Sequence, residues 1–196
     1  MPLLKEAGIE LADPIEESRK LIFASRCGAF SLVIMRGSDV PTYVEYGAAD
    51  LGITGKDTLL EHGGTGFYER LDLGIGRCRI MTAAPRGVAP VRGTLRVATK
   101  LVNVARRYYA EQGRQVEVIP LAGAVEIAPL MGLADAIVDV VDTGNTLKAN
   151  GLVAGDVVAE VTTRAIVNRA SLKTKYEEVD GLLTRLARVV ERRRRA

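Results

Sequence analysis

The sequence predicts an α/β protein of two lobes, with mostly parallel sheets covered by helices and a cleft between the lobes. Three observations predict it. Short apolar, β-branched runs alternate with helix-like segments between residues 21 and 83, and again between 95 and 141; that rhythm builds parallel sheets flanked by helices. Between the two runs, Pro85–Gly93 holds two prolines and two glycines in nine residues, which reads as a loop and a domain boundary. After the second run come one long alternating segment and one long amphipathic helix, able to cross back to the first lobe. The first lobe is expected at residues 1–88 with 166–196, and the second at 89–165.

The elements follow in order. Residues 1–8 read as the end of an amphipathic helix, with Leu3, Leu4 and Ala7 on one face. The polar stretch 16–20 precedes a strand at 21–23, and 30–35 is a second strand rich in apolar and β-branched residues. Ser38 or Asp39 can cap a helix through Tyr43, Val44 and Tyr46, with Pro41 tolerated in its first turn. A short strand at 50–54 leads into a helix containing Leu59 and Leu60, and another strand includes 78–82. The rhythm restarts with a strand at 95–99, a helix at 103–113, a strand at 116–119 and a helix at 125–133 shortened or bent by Pro129. A strand follows at 135–141. Residues 157–167 alternate as one long strand, and from Ser171 to the end apolar residues recur near 3.6 spacing as one helix.

Composition narrows the classes. The 196 residues are enough to bury a sizeable core, and 47% hydrophobic with 26% charged is an ordinary globular balance. No apolar run is long enough to cross a bilayer, and the N-terminus lacks the pattern of a signal peptide. Cys27 and Cys78 are too few for a disulfide framework, and with His62 the only histidine a zinc site is disfavoured. The expected compartment is the cytoplasm. The net charge of +3 depends on Arg192–Arg195. That run reads as a solvated helix end complementing the helix dipole; without interleaved aromatic residues it does not argue for nucleic acid.

The most informative stretch is Asp139–Thr146, of sequence DVVDTGNT. An apolar strand breaks into a short Gly-containing loop and then starts a helix, so backbone N–H groups converge and the helix N-terminus adds partial positive charge. Thr143 and Thr146 supply hydroxyls, Asn145 lies between them, and Gly144 lets an anion approach the backbone. Asp139 and Asp142 suit ribose hydroxyls or a phosphate-bound magnesium better than the phosphate itself. The expected ligand is a ribose 5-phosphate group. The bland alternative is a helix capped by threonine.

Elsewhere, Lys100 ends a strand and can reach a phosphate or point to solvent. Tyr108 can stack on a base or, one turn from Val104, sit in the core. Asp50 reads as a strand-start cap, and both cysteines read as packed rather than reactive.

Three stretches together carry a family resemblance: residues 39–57, DVPTYVEYGAADLGITGKD; residues 96–100, RVATK, with Asn103, Arg106 and Tyr108; and residues 126–151, EIAPLMGLADAIVDVVDTGNTLKANG. The chain resembles ATP phosphoribosyltransferase, the enzyme of the first step of histidine biosynthesis, through nearly its whole length. Ending after the Ser171 helix, it looks like the short form of the family, which works with a regulatory subunit similar to histidyl-tRNA synthetase.

The resemblance implies a periplasmic-binding-protein-like fold and a reaction joining N1 of ATP to C1 of 5-phosphoribosyl 1-diphosphate (PRPP), with Mg²⁺ entering through the substrate diphosphate. It implies that Asp142, Thr143, Gly144, Asn145 and Thr146 hold the 5-phosphate, and that Glu126 and Asp139 meet the ribose hydroxyls. It matches Asp50, Lys100 and Tyr108 to the nucleotide side, and it implies a homodimer within a hetero-oligomer. The family's N-terminal strand and Lys-Gly-Arg loop, which reaches the diphosphate, are not found at this N-terminus, so Arg19, Lys20 and Arg36 are the candidate diphosphate ligands. The alternative functional reading is a catalytically impaired or binding-only module for a phosphorylated ligand.

Overall fold

The computed structural model describes residues 2–15, 18–87 and 93–195. Residues 88–92, at the centre of the expected boundary loop, and residues 16 and 17, which open the polar stretch before the first strand, lie outside the described residues.

Ten strands and seven α-helices alternate along the described chain. They are α1 (Pro2–Glu6), β1 (Ile22–Ala24), β2 (Ser31–Val33), α2 (Val40–Glu45), β3 (Leu51–Gly55), α3 (Lys56–His62), β4 (Phe67–Asp72) and β5 (Cys78–Pro85). Then come β6 (Leu95–Thr99), α4 (Val102–Glu111), β7 (Val116–Pro120), a 3₁₀ turn (Val125–Ile127), β8 (Ala136–Val141), α5 (Asn145–Ala149), β9 (Leu152–Val161), β10 (Thr163–Asn168), α6 (Ser171–Thr174) and α7 (Tyr176–Arg195). Two compact units emerge. The first comprises Met1–Thr54, Gly64–Gly74 and Thr163–Ala196; the second comprises Gly55–Gly63 and Ile75–Thr162.

The first unit contains the β1–β2 hairpin and a three-stranded sheet of order β3-β10-β4. Helix α2 lies close on β3 at Gly52, where a Cβ would come within 2.5 Å of Val40 Cγ1, so this position accepts no side chain without displacing the helix. Helix α7 buries Val179 and Leu183 against Ala165 and Val167 of β10, the face its 3.6-residue periodicity announces. Asn168, at the end of β10, is buried and joins three elements. Its Nδ2 donates to the carbonyls of Val44 and Glu45, while its Oδ1 accepts from the N–H groups of Ala170 and Ser171.

The second unit is a five-stranded sheet of order β7-β6-β8-β5-β9. One face carries Ile80, Val97, Ala136 and Val138 together with Val104, Ala105 and Tyr109 of α4. The other carries Met81, Ala98, Ile137 and Val141 together with Val125, Leu147 and Leu152. The two sets alternate along β8, so this strand is apolar on both sides because both sides are covered.

Several expectations need correction. The sheets are mixed rather than mostly parallel: β6 pairs parallel with β7 and β8, but β5 pairs antiparallel with β8 and β9, and β10 antiparallel with β4. Apolar runs record burial, not strand direction. The anticipated boundary at residue 88 is displaced, because β5 belongs to the second unit's sheet and the division falls at Gly74–Ile75. The single strand at 157–167 is two, β9 and β10, which separate at Thr162 and belong to different units. The alternation runs unbroken through that point, so periodicity had nothing to mark.

Strand β4 was not foreseen. Its central residues are exposed, it pairs with β10, and its acidic side chains Glu69 and Asp72 meet Arg164. The helix expected at 125–133 shrinks to one 3₁₀ turn, preceded by Ala124 at φ 49° and followed by turns containing Pro129 and Gly132. The terminal helix breaks at Lys175, whose ammonium turns to Asp50. Its arginine end is not wholly solvated: Arg193 forms an ion pair with Glu6 of α1 at 2.6 Å.

Arg96 clamps the entry to β8. Its guanidinium makes paired bonds to Asp135, at 2.8 Å from Nη2 and 3.3 Å from Nε, and reaches the carbonyl of Gly132. These bonds hold the Asp135 carboxyl below the ordinary value of 3.8. A carboxyl whose pKa is lower folded than unfolded adds stability that is complete above the unfolded value and is lost as pH falls through the folded one. Asp135→Asn should therefore lower the melting temperature at neutral pH and narrow its gap to the parent protein as pH falls below about 4. Melting curves between pH 2.5 and 7 test this; a gap independent of pH would contradict it.

Candidate functional site

The topology marks one position for a ligand. From β6 the chain passes through α4 to β7 on one side, and from β7 it returns to β8 on the other side of β6. Such a reversal leaves a crevice at the carboxyl ends of the parallel strands. The ladder between β6 and β8 spans Val97↔Ala136 and Ala98↔Ile137. Past it, the buried Thr99 donates its hydroxyl to the Val138 carbonyl at 2.5 Å and accepts from the Leu101 N–H at 2.8 Å. A side chain thus takes over where backbone pairing ends.

Asp139 and the loop after it lie at that carboxyl end. A cavity of about 240 Å³ opens here, lined by Glu126, Asp139, Asp142, Thr143, Gly144 and Thr146, with Val140, Val141 and Leu147 as apolar floor. Strand periodicity explains how Glu126 and Asp139 come together. Asp139 shares the β8 face of Ile137 and Val141, and that face is covered by the 3₁₀ turn carrying Glu126 and by α5. Asp139 is further fixed by the Val140 N–H, which donates to its Oδ1 at 2.8 Å, and by Lys100, whose Nζ lies 3.4 Å from the same oxygen.

The loop itself is held open. Gly144 caps α5 at φ 75°, ψ 7°, a left-handed conformation that glycine adopts without strain. No side chain caps this helix. The Thr143 hydroxyl accepts only a long 3.4 Å bond from the Asn145 N–H. Thr143, Asn145 and Thr146 are exposed, so their side chains are accessible from solvent.

The other predicted residues lie elsewhere. Asp50, at the start of β3 in the first unit, accepts from Ser171 Oγ at 2.6 Å and from Lys175 Nζ at 2.9 Å. Burial alone would raise its pKa, but the Ser171 hydroxyl and the Lys175 ammonium together hold it low. It ties β3 to the α6–α7 junction. Tyr108 packs edge-on against Tyr109, 5.0 Å between ring centres, and its hydroxyl donates to Asp156 at 2.8 Å. It faces the core rather than this cavity. Arg19, Lys20 and Arg36 are exposed residues of the first unit, and Lys20 is paired with Asp13 at 3.1 Å.

Cys27 is exposed rather than packed, because the tight turn of the β1–β2 hairpin turns it outward, with its thiol lowered first by the Ser25 hydroxyl. Cys78 is half-buried, its thiol pushed up by burial and then by the Asp57 carboxylate.

Sequence reasoning missed Thr99, which holds the crevice at its base. A threonine next to the lysine at a strand end was a signal in plain view, but its meaning depends on the register of β8.

The fold and the crevice define a class: a two-unit α/β protein that presents a carboxylate-lined, glycine-containing loop at a strand-order reversal. A family model described as ATP phosphoribosyltransferase matches residues 36–188. The chain belongs to the ATP phosphoribosyltransferase family. It is 56% identical to ATP phosphoribosyltransferase of Marinobacter nauticus, over 99% of this chain and 91% of that protein. It is 55% identical to that of Pseudomonas putida, over 100% of this chain and 92% of that protein. Among solved structures, the ATP phosphoribosyl transferase (HisG:HisZ) complex from Thermotoga maritima superposes with a TM-score of 0.86 at 36% identity, covering 98% of this chain and 92% of that one. The periplasmic aliphatic sulphonate binding protein of Escherichia coli shares the fold alone, at a TM-score of 0.54 and 14% identity, over 81% of this chain and 61% of that one.

Proposed function

We propose that this chain joins N1 of ATP to C1 of PRPP with release of diphosphate, and that the crevice beside β8 receives the phosphoribosyl group. The observation that carries this reading is the clustering of Glu126, Asp139, Asp142, Thr143, Gly144 and Thr146 around one cavity at the strand-order reversal. In this reading the loop from Asp142 to Thr146, Asn145 included, seats the 5-phosphate with its hydroxyls and backbone N–H groups. Glu126 and Asp139 accept hydrogen bonds from the ribose hydroxyls.

The chemistry suits these groups. Adenine N1 attacks as a neutral nucleophile, so no general base is demanded. Diphosphate leaves from a carbon with oxocarbenium character, and the demand is for alignment and charge neutralisation. Arg19, Lys20 and Arg36 are the proposed partners of the leaving diphosphate; an exposed pair such as Lys20–Asp13 is worth little and yields readily to a polyanion.

Mg²⁺ fits the donor set. Asp139 and Asp142 are hard oxygen ligands, and an ion that retains its waters and substrate phosphates needs no all-protein cage. Bound with diphosphate, it would neutralise charge on the leaving group.

The Thermotoga complex supports assigning a HisZ-type regulatory partner; a homodimer of this chain inside that hetero-oligomer is the proposed assembly. Among the described residues no helix is long and apolar enough to cross a membrane, and the proposed compartment is the cytoplasm.

The test is release of diphosphate from PRPP and ATP, followed with and without a HisZ-type subunit. Formation of phosphoribosyl-ATP supports the proposal. Binding of PRPP detected by heat shift, with no turnover in either arm, would favour the binding-only alternative.

A further inference from the structure

The proposed sugar-phosphate pocket poses an electrostatic problem. Its lining includes three carboxylates, those of Glu126, Asp139 and Asp142, and its proposed ligand is an anion. Like charges at close range in a partly desolvated pocket repel strongly, so the site needs a cation that can face the ligand. Lys100 stands in contact with this lining. It follows β6 directly, on the other side of the crevice, and its ammonium lies 3.4 Å from Asp139 Oδ1. Its side chain is 45% exposed, against 22% for Asp139, so the lysine can swing while the aspartate is held. The Val140 N–H fixes Asp139 through the same oxygen at 2.8 Å. Asp139 therefore keeps its orientation without Lys100.

We propose that Lys100 exchanges partners when substrate enters: it neutralises Asp139 in the empty site and turns to an anionic group of the phosphoribosyl ligand when the ribose hydroxyls engage that carboxylate. This rests on the phosphoribosyl reading of the pocket. It makes Lys100 a binding residue of the sugar-phosphate side rather than of the nucleotide side. The exchange keeps one positive charge inside the site in both states. A long ion pair with a half-exposed lysine contributes little stability, so its rupture costs little when the ligand arrives.

The test is PRPP binding by isothermal titration to the whole chain carrying Lys100→Met or Lys100→Arg, at low and high salt. Lys100→Met should weaken PRPP binding at least tenfold at low salt, with a smaller ratio at high salt, and leave the melting temperature nearly unchanged. Lys100→Arg should recover most of the affinity. Binding of PRPP by Lys100→Met within twofold of the parent would overturn the proposal. Equal loss in both variants would also overturn it, as would a loss confined to ATP binding. The double variant Thr143→Ala/Thr146→Ala separates the two levels. If it too binds PRPP normally, the loop reading has failed; if it alone loses affinity, only the exchange by Lys100 has.

Discussion

Replacing Thr143 and Thr146 together by alanine is expected to raise the Michaelis constant for PRPP by roughly a hundredfold. Each hydroxyl in the proposed complex donates to a charged phosphate, and a hydrogen bond to a charged group is worth about 1.5–3 kcal/mol. Two such losses at the lower end of that range, about 3 kcal/mol together, give roughly that magnitude at about 1.4 kcal/mol per factor of ten. The fold should not suffer. Both threonines are exposed, and the one bond made by Thr143 is 3.4 Å long. The constant for ATP should stay within a fewfold. Initial rates with each substrate varied at saturating levels of the other, alongside a melting curve, make the measurement. Unchanged PRPP kinetics would remove the loop from the site.

The largest stability effect away from the core should come from Asn168→Ala. This residue is 6% exposed. Its amide nitrogen donates to the Val44 carbonyl at 2.8 Å and the Glu45 carbonyl at 3.3 Å, and its oxygen accepts from Ala170 and Ser171 N–H groups, both at 2.9 Å. Alanine removes bonds at the end of α2 and the start of α6 at once; the Val44 carbonyl keeps the Gly47 N–H, whereas the Ala170 and Ser171 N–H groups lose their acceptor. Buried polar groups left unpaired cost about 1–3 kcal/mol each, so a loss of roughly 3 kcal/mol is expected, or a melting temperature lower by about 10 °C for a chain of this size. Asn168→Asp keeps the acceptor but sets a buried carboxylate against the Val44 and Glu45 carbonyls, and should cost at least as much at neutral pH. A shift below two degrees for Asn168→Ala would show that water replaces these bonds.

How much of this was legible beforehand differs between fold and site. The α/β alternation, most strand positions and the loop after β8 could be read because each has a local cause: β-branched runs, a glycine stop, an exposed polar turn. Strand β4 could not, since Phe67–Asp72 carries charges whose partners, Arg164 on β10 and Asp180 on α7, are distant in sequence. The break at Thr162 was invisible for a different reason. Residues on both sides obey the same alternation, and only tertiary contacts divide them. Within the site, Asp139, Thr143 and Thr146 announced themselves by local pattern. Thr99 and the partner of Lys100 depend on which strand lies beside β6, a fact that no stretch of sequence near them contains. Pro129 and Gly132 gave fair warning that the segment after Glu126 would not stay helical.

Segment Gly55–Gly63 belongs to the second unit although its neighbours in sequence belong to the first. It brings Glu61, whose carboxylate accepts from the N–H groups of Asn103 and Val104 and so satisfies the opening of α4. A gene fragment encoding only residues 75–162 would omit this acid and leave those amides bare. Anyone wishing to express the second unit by itself should graft the short helical insert back, by circular permutation or a designed linker, rather than cut the chain at one point.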